Sequence, residues 1–336
     1  MSKWNYDTPA HKLPSYPIQV FEEYRNTISE SLYIKPEEVT FCRVDCYHNN
    51  VFFIKDLKAN PLFVVKAINP ASWDSSISMI TREVEISNYS YRVLRDMKPR
   101  IPVLFKYNND TSRGVIVYNY LGSAFTYEKN INIIDTLAKT VYSKLFSLHS
   151  NTLSPNAGFG SFSPMYNIQS NNPSDYSFRF LLKDIDREKL DSEKTITKLI
   201  VNKWTPLLNQ DKIFTLTHAD VTLSNIILSG KKIEDITLID WTYSIWQNPC
   251  YDIANMFFWH YKYCGLDLAV KELRAYTKKY KKIGLDIVTG FPPFFARKLI
   301  DYGRFNDKIL IKRASEILNL ENFEDVVEYC RVNPLF

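Results

Sequence analysis

The residues best suited to chemistry lie in one stretch, His218-Ala219-Asp220-Val221-Thr222-Leu223-Ser224-Asn225-Ile226-Ile227-Leu228, followed by Ile239-Asp240-Trp241. An aspartate precedes an asparagine by five residues, and a strand-like run then leads to a second aspartate. Phosphoryl transfer asks for little covalent help from a protein. It needs a carboxylate near the attacking hydroxyl, oxygen ligands for the metal that bridges the phosphates, and a cation on the phosphates. The spacing supplies the first two. Asp220 is the candidate carboxylate that orients or deprotonates an acceptor hydroxyl, with an ordinary turn aspartate as the bland alternative. Asn225 and Asp240 are candidate magnesium ligands, because a hard cation prefers oxygen donors and keeps its other sites for water and phosphate. A turn-capping carboxylate is the plain alternative for Asp240. His218 invites an acid–base role, but bracing the loop through hydrogen bonds is the favoured reading. Asp252, at the opening of the next helix, either caps that helix or accepts hydrogen bonds from the Asp220 loop.

The cation is sought in Lys66, which follows the apolar run Leu62-Phe63-Val64-Val65. An unpaired ammonium there would be costly unless a carboxylate or phosphate met it; a strand-end lysine that reaches solvent is the alternative. Glu83 and Glu85 are the candidate partners. At about 100° per residue, Ile77, Ile80, Val84, Ser87 and Tyr91 form one stripe. Glu83 lies about 60° from Ile80 and Glu85 about 140°, so Glu83 is expected to reach inward and Glu85 to face solvent.

These residues require a framework. A helical pattern over Tyr16 to Leu32 leads into strand candidates Thr40 to Val44, Val51 to Lys55 and Leu62 to Ala67, the first two joined by a polar turn ending His48-Asn49-Asn50. A helix follows over about Ser76 to Arg95, then strands Val103 to Tyr107 and Val115 to Tyr118. Three strands, a helix and two strands make a small α+β lobe. Beyond Gly122 the pattern turns helical over Ile133 to Ser150. A Pro-, Asn- and Ser-rich loop spans Ser154 to Ser174, with helices expected near Phe178 to Leu190 and Lys194 to Leu208. One hairpin unit is expected from Ile213 to Leu216, Asn225 to Leu228 and Ile236 to Ile239. Everything after Tyr251 reads as helix, punctuated by Gly265, Pro292-Pro293 and Pro334.

The 336 residues, 45% of them hydrophobic and 24% charged, suffice for one large domain or two modest ones. With only 9 glycines, a nucleotide site must be built without a glycine-dense phosphate loop, which argues against a Walker-type NTPase. The net charge of +5 is dispersed, so no nucleic acid partner is expected. Cys42, Cys46, Cys250, Cys264 and Cys330 are odd in number and lack CxxC spacing, and they read as free thiols. No apolar leader or membrane-length segment is found, so a cytoplasmic protein without membrane attachment is expected.

Taken together, His218 through Asn225, Ile239-Asp240-Trp241 and Asn248-Pro249-Cys250-Tyr251-Asp252-Ile253-Ala254 resemble the catalytic core of the aminoglycoside phosphotransferase and choline kinase-like family. The usual form there is HGDxxxxN, then IDW or IDF, then D-P-x-Y-D-L-A. Val64-Val65-Lys66 resembles that family's third-strand lysine, Arg82-Glu83 its paired glutamate, and Tyr120-Leu121-Gly122 the end of its hinge. His149 resembles a recurrent histidine with a core or capping role. Departures are Ala219 for the usual Gly, Val221-Thr222 for Leu-His, Asn248 before the Pro, and a turn before Val51 without glycine, which leaves Asn49, Asn50 and backbone amides to cover phosphates.

The resemblance implies an α+β, bilobal protein-kinase-like fold. A small antiparallel-sheet lobe with one key helix (1–118) would be joined by a hinge (119–122) to a larger, mainly helical lobe (123–336). It implies Mg2+ and ATP or GTP, with Lys66, Glu83, Asn50, Tyr118 and Tyr120 toward the nucleotide. The backbone of Val117-Tyr118-Asn119-Tyr120 would hold the purine. The long stretch from Ser150 to Thr217 and the lack of an APE-like segment after Asp240 favour a small-molecule hydroxyl acceptor such as an aminoglycoside, amino alcohol or sugar. Trp241, Tyr243, Trp246, Phe257, Phe258 and Trp259 could form a cation cage, although core packing suits most of them. The acidic run Glu321, Glu324, Asp325 and Glu328 could attract an amine, although a solvated helix face is the plainer reading. A nucleotide-binding protein with little catalysis and an atypical protein kinase are the competing classes. Retention of Lys66, Glu83, Asp220, Asn225 and Asp240 together favours an enzyme.

Overall fold

The computed structural model describes residues 5–6, 15–43, 51–68, 83–90, 102–111, 113–122, 133–153, 198–199, 202–203, 215–228, 230, 232–306 and 308–336. The chain divides into two compact units, residues 1–89 with 99–122, and residues 90–98 with 123–336.

In the first unit, β1 (Asn5–Tyr6), β2 (Val39–Arg43), β3 (Val51–Asp56), β4 (Pro61–Ile68), β5 (Pro102–Asn108) and β6 (Arg113–Asn119) form one sheet in the order β1-β2-β3-β4-β6-β5. Only the β1–β2 pair is parallel. Alternation assigns its faces. Val65, Ala67, Val115 and Val117 join Phe41, Phe52 and Ile54 in a core against α1 (Ser15–Leu32). That helix contributes Val20, Phe21, Tyr24 and Ile28 at the spacing of one face, and Phe21 stacks on Phe41. The opposite parity, Ile68, Ile116 and Tyr118, packs with Val84 from the helical residues 83–90 (α2). Lys66 shares this parity, opposite Ile116 in the ladder, so its side chain emerges on the α2 face.

In the second unit, α3 (Ile134–Asn151) buries Ile134, Leu137, Ala138, Val141, Tyr142, Leu145, Leu148 and His149 along one stripe. It packs on α4 (Cys250–Cys264) and α5 (Leu266–Lys282). Gly265, with φ of 88°, both ends α4 and starts α5, a conformation that L side chains rarely adopt. α6 (Phe291–Asn306), α7 (Lys308–Ile317) and α8 (Phe323–Val332) complete the helices. Phe257 of α4 meets Phe291, Phe295 and Phe323 edge-on, so one residue ties α4, α6 and α8 together.

The strands of this unit differ from expectation. β7 (Thr215–Thr217) does not join a hairpin unit but pairs with β10 (Ile245–Gln247), a strand absent from the sequence reading. β8 (Ile226–Leu228) and β9 (Ile236–Leu238) form a separate hairpin. Three-residue strands carry too little alternation to be assigned before their partners are known. Pro292-Pro293 does not break a helix but occupies the first turn of α6, where missing amide protons cost nothing. Cys42, Cys250 and Cys330 are buried free thiols and Cys264 is a half-buried one; Cys46 lies outside the described residues. The loop expected from Ser154 to Ser174 and the helix near Phe178 to Leu190 also lie outside them.

Candidate active site

In the first unit, Lys66 Nζ lies 2.8 Å from Glu83 Oε2, and the Tyr118 hydroxyl donates to Glu83 Oε1 at 2.9 Å. Glu83 is nearly fully buried, with 5% of its surface exposed, so both its oxygens are satisfied by the sheet face beneath it. The inward face of α2 differs from the expected stripe. It runs Glu83, Ile86, Ser87 and Ser90, while Glu85 is half-buried instead of facing solvent. Tyr118 contributes its side chain to Glu83, while its backbone sits in the ladder opposite Val64 and Pro102. The Tyr120 amide donates to Leu62 O at 2.9 Å, which extends the sheet bonding past the end of β6. Asn50 lies outside the described residues.

In the second unit, β7 delivers the chain to His218-Ala219-Asp220 and the β8–β9 hairpin delivers Asn225 and Asp240. Asn225 Nδ2 donates to Asp220 Oδ2 at 2.8 Å and to the Asp220 carbonyl at 2.9 Å. The five-residue spacing is thus closed by a bidentate amide that fixes the Asp220 rotamer. His218 donates from Nε2 to the Ile239 carbonyl at 2.9 Å and accepts the Asp220 amide at Nδ1, 3.3 Å. Both ring nitrogens are therefore used to brace the loop. Ser244 Oγ donates to the His218 carbonyl at 3.0 Å, and the Ile239 amide donates to the Asn225 carbonyl at 2.9 Å.

Two non-glycine residues at this site have left-handed backbones, Ala219 (φ 64°) and Asp240 (φ 63°). Aspartate tolerates that region, whereas alanine pays roughly 1–2 kcal/mol for it. A buried carboxylate holds Ala219 in place. Asp252, fully buried in the first turn of α4, accepts the His218 amide at Oδ2 and the Ala219 amide at Oδ1, each at 2.7 Å. Oδ2 also receives His149 Nε2 at 3.1 Å, while His149 Nδ1 accepts the Tyr280 hydroxyl at 2.6 Å. Asp252 thus acts on the Asp220 loop, the second of its two expected roles, and His149 is the buried link behind it.

Asp220 keeps part of its surface accessible but is enclosed on most sides. Burial pushes its carboxyl above the usual range, opposed by the Lys298 ammonium and reinforced by the Asp240 charge. Asn225 Oδ1 accepts no hydrogen bond among the described residues, and Asp240 Oδ1 is oriented by Thr242 Oγ1 at 2.5 Å. An oriented carboxylate, a second carboxylate within its electrostatic reach and an open amide oxygen fit a divalent, oxygen-seeking cation. Among the described residues no cluster of three or more His, Cys, Asp or Glu side chains could hold a metal. Magnesium would therefore rely on Asn225 and Asp240, completed by phosphate and water.

Sequence reasoning missed Lys298 and Arg297 of α6, both at least nine-tenths buried. Arg297 pairs with Asp301 at 2.8 Å. Two cations in an otherwise apolar helix, Phe294-Phe295-Ala296-Arg297-Lys298-Leu299-Ile300, were the available signal. The expected amine-attracting features resolve otherwise. Glu324 pairs with Arg274, Glu328 with Arg331, and Asp325 accepts the Glu321 amide, so the acidic run is surface ion pairing around the α8 cap. Trp241, Phe257 and Phe258 are fully buried core.

A two-unit kinase-like framework with this loop and hairpin defines a class, that of phosphotransferases built on a small sheet unit and a helical one. The chain belongs to the phosphotransferase enzyme family APH, whose model matches residues 45–282. Among solved structures it is similar to aminoglycoside phosphotransferase APH(4)-Ia (TM-score 0.60, 13% identity, 91% of this chain and 98% of that one). A thermostable mutant of that enzyme has been solved with ADP and hygromycin B. It is also similar to wild-type aminoglycoside 2'-phosphotransferase-IIIa in its GDP complex (TM-score 0.52, 15% identity, 92% and 98%). A third similar structure is choline kinase LicA from Streptococcus pneumoniae (TM-score 0.52, 15% identity, 89% and 99%). No curated protein matches.

Proposed function

We propose that the protein is a small-molecule kinase that moves the γ-phosphate of ATP or GTP to an acceptor hydroxyl by direct in-line transfer. The observation that carries this is Asp220. It is a carboxylate with a fixed rotamer and a raised pKa, held on a strained turn that is clamped by Asp252. Such a group suits a proton acceptor, because a base is most effective when its pKa approaches the working pH. Asp220 aligns the acceptor hydroxyl and receives its proton at the carboxylate. Asn225 keeps that carboxylate oriented, and His218 holds the loop against the hairpin. Lys66, oriented by Glu83, binds the inner phosphates. Magnesium held by Asn225 and Asp240 would supply charge neutralisation on the phosphate oxygens. The reading is supported by family membership and by the nucleotides held in the similar enzymes.

The test is mass spectrometry of a mixed panel of hydroxylated compounds after incubation with magnesium and ATP or GTP. The panel includes aminoglycosides, amino alcohols, sugars, hydroxy acids and sugar phosphates, and Asp220→Ala is the control. A product formed by the wild type and absent from the variant is expected. Equal product in both would sink the role of Asp220. Absence of any melting shift with magnesium-nucleotide would sink the kinase reading itself.

A further inference from the structure

The helical unit holds a largely buried lysine that makes no ion-pair contact among the described residues. Lys298 in α6 is 9% exposed, and among the described residues its ammonium has no hydrogen bond and no carboxylate within 4.0 Å. It stands 5.4 Å from the centre of the Trp259 ring and 6.0 Å from that of Phe258. The Trp259 Nε1–H is itself buried and lacks a hydrogen-bond partner among the described residues. Lys262 flanks the same indole at 5.5 Å and reaches the Tyr302 hydroxyl. The neighbouring carboxylate, Asp301, is occupied by Arg297. The indole N–H is withdrawn from water and lacks an acceptor, and the ammonium beside it makes no hydrogen bond to protein among the described residues. Burying either costs free energy unless something accepts from it.

The same face repels a cation. Trp259, the half-buried member of the expected aromatic cage, already carries two lysine ammoniums over its ring. A quaternary or primary amine brought there would meet like charge. The Lys298 charge also acts on Asp220, where it is the largest influence opposing burial, so the two groups belong to one electrostatic neighbourhood.

We infer that the acceptor bears an anionic group, a carboxylate or a phosphate, which Lys298 neutralises beside the Trp259 indole N–H while its hydroxyl is presented to Asp220. This rests on the kinase reading above and narrows it, away from cationic aminoglycosides and amino alcohols and toward hydroxy acids or sugar phosphates.

The first experiment does not need the substrate. Melting temperatures are measured in sodium acetate and in sodium phosphate against sodium chloride at equal ionic strength. Saturating magnesium-ADP is included so that the nucleotide phosphate positions are filled. Wild type is compared with Lys298→Met and Lys298→Arg. Stabilisation by one of the two anions in wild type and in Lys298→Arg, lost in Lys298→Met, is expected. Which anion acts separates carboxylate from phosphate. Equal shifts in all three proteins, or none in any, would overturn the inference.

In the mass-spectrometric panel, products are expected among hydroxy acids or sugar phosphates. Lys298→Met should lower kcat/KM for them by at least about 30-fold, the effect of removing one partner of a buried charge pair. Products confined to amines or neutral sugars would overturn the inference and leave the kinase reading standing. A protein that binds no magnesium-ADP would fail that reading, while the anion comparison would still decide the role of Lys298.

Discussion

Asp252→Asn replaces one oxygen of a fully buried carboxylate, yet it should weaken both the fold and the reaction. The wild-type carboxylate receives two backbone amides at 2.7 Å and one imidazole N–H at 3.1 Å, with no exposure to water. An asparagine can keep its oxygen at the Oδ2 position, retaining the His218 amide and His149. Its NH2 then faces the Ala219 amide, donor against donor. A hydrogen bond to a charged group is worth about 1.5–3 kcal/mol and an orphaned buried donor costs about 1–3 kcal/mol. The loss should therefore be about 3 kcal/mol or more. For a domain of this size that is a fall in Tm of roughly 6–12 °C. Ala219 gains nothing from its left-handed turn once its amide loses the anchor, so the Asp220 loop should relax and kcat should fall. Thermal melting by circular dichroism, with kcat and KM for the identified acceptor, measures both. A variant melting within about 2 °C of wild type with unchanged kcat would refute the clamp.

Ala219→Gly should stabilise the protein by about 0.5–1 kcal/mol, because relief of the left-handed alanine exceeds the entropic cost of glycine; a rise in Tm reads this, and a fall would contradict the strain argument. Glu83→Gln should raise KM for magnesium-nucleotide at least about tenfold, since an altered buried pair leaves Lys66 uncompensated. Tyr118→Phe should cost only about 1 kcal/mol of stability, because the Lys66 pair survives. Equal effects from the two variants would deny Glu83 its orienting role. His260 is fully buried and its pKa is lowered by that burial, against the opposing pull of Asp135. Its folded state resists protonation while the unfolded chain takes up a proton near 6.5. Stability should be fully present above that value and decline as pH falls below it. In His260→Gln the decline over pH 7 to 5 should be smaller; an unchanged slope in urea unfolding would show that another group is responsible.

Much of the framework is legible because its signals are local. Runs rich in β-branched and aromatic residues, such as Leu62 to Ala67 and Val115 to Tyr118, mark the strands, and helical geometry distinguishes Glu83 from Glu85 as the partner of Lys66. The Asp220–Asn225 contact follows from a five-residue spacing that one turn can close. What was not legible depends on docking. His149 and Asp252 are 103 positions apart, and nothing near either residue names the other. β10 exists only because β7 lies beside it. The hydrogen bond from Tyr118 to Glu83 requires both the strand parity and the position of α2. Lys298 is legible only as one of two adjacent cations, Arg297-Lys298, in an otherwise apolar run, a signal that does not say which of them pairs with Asp301.

The peptide groups of residue 239 serve two partners at once, with the amide bonded to Asn225 and the carbonyl to His218. The Asp220 loop and the β8–β9 hairpin therefore cannot loosen independently. Either excursion breaks a bond at this one residue. Hydrogen exchange at the Ile239 amide should consequently slow when ligands on either the acceptor side or the nucleotide side order their own segment. That single amide offers a spectroscopic reporter of site assembly that needs no knowledge of the substrate.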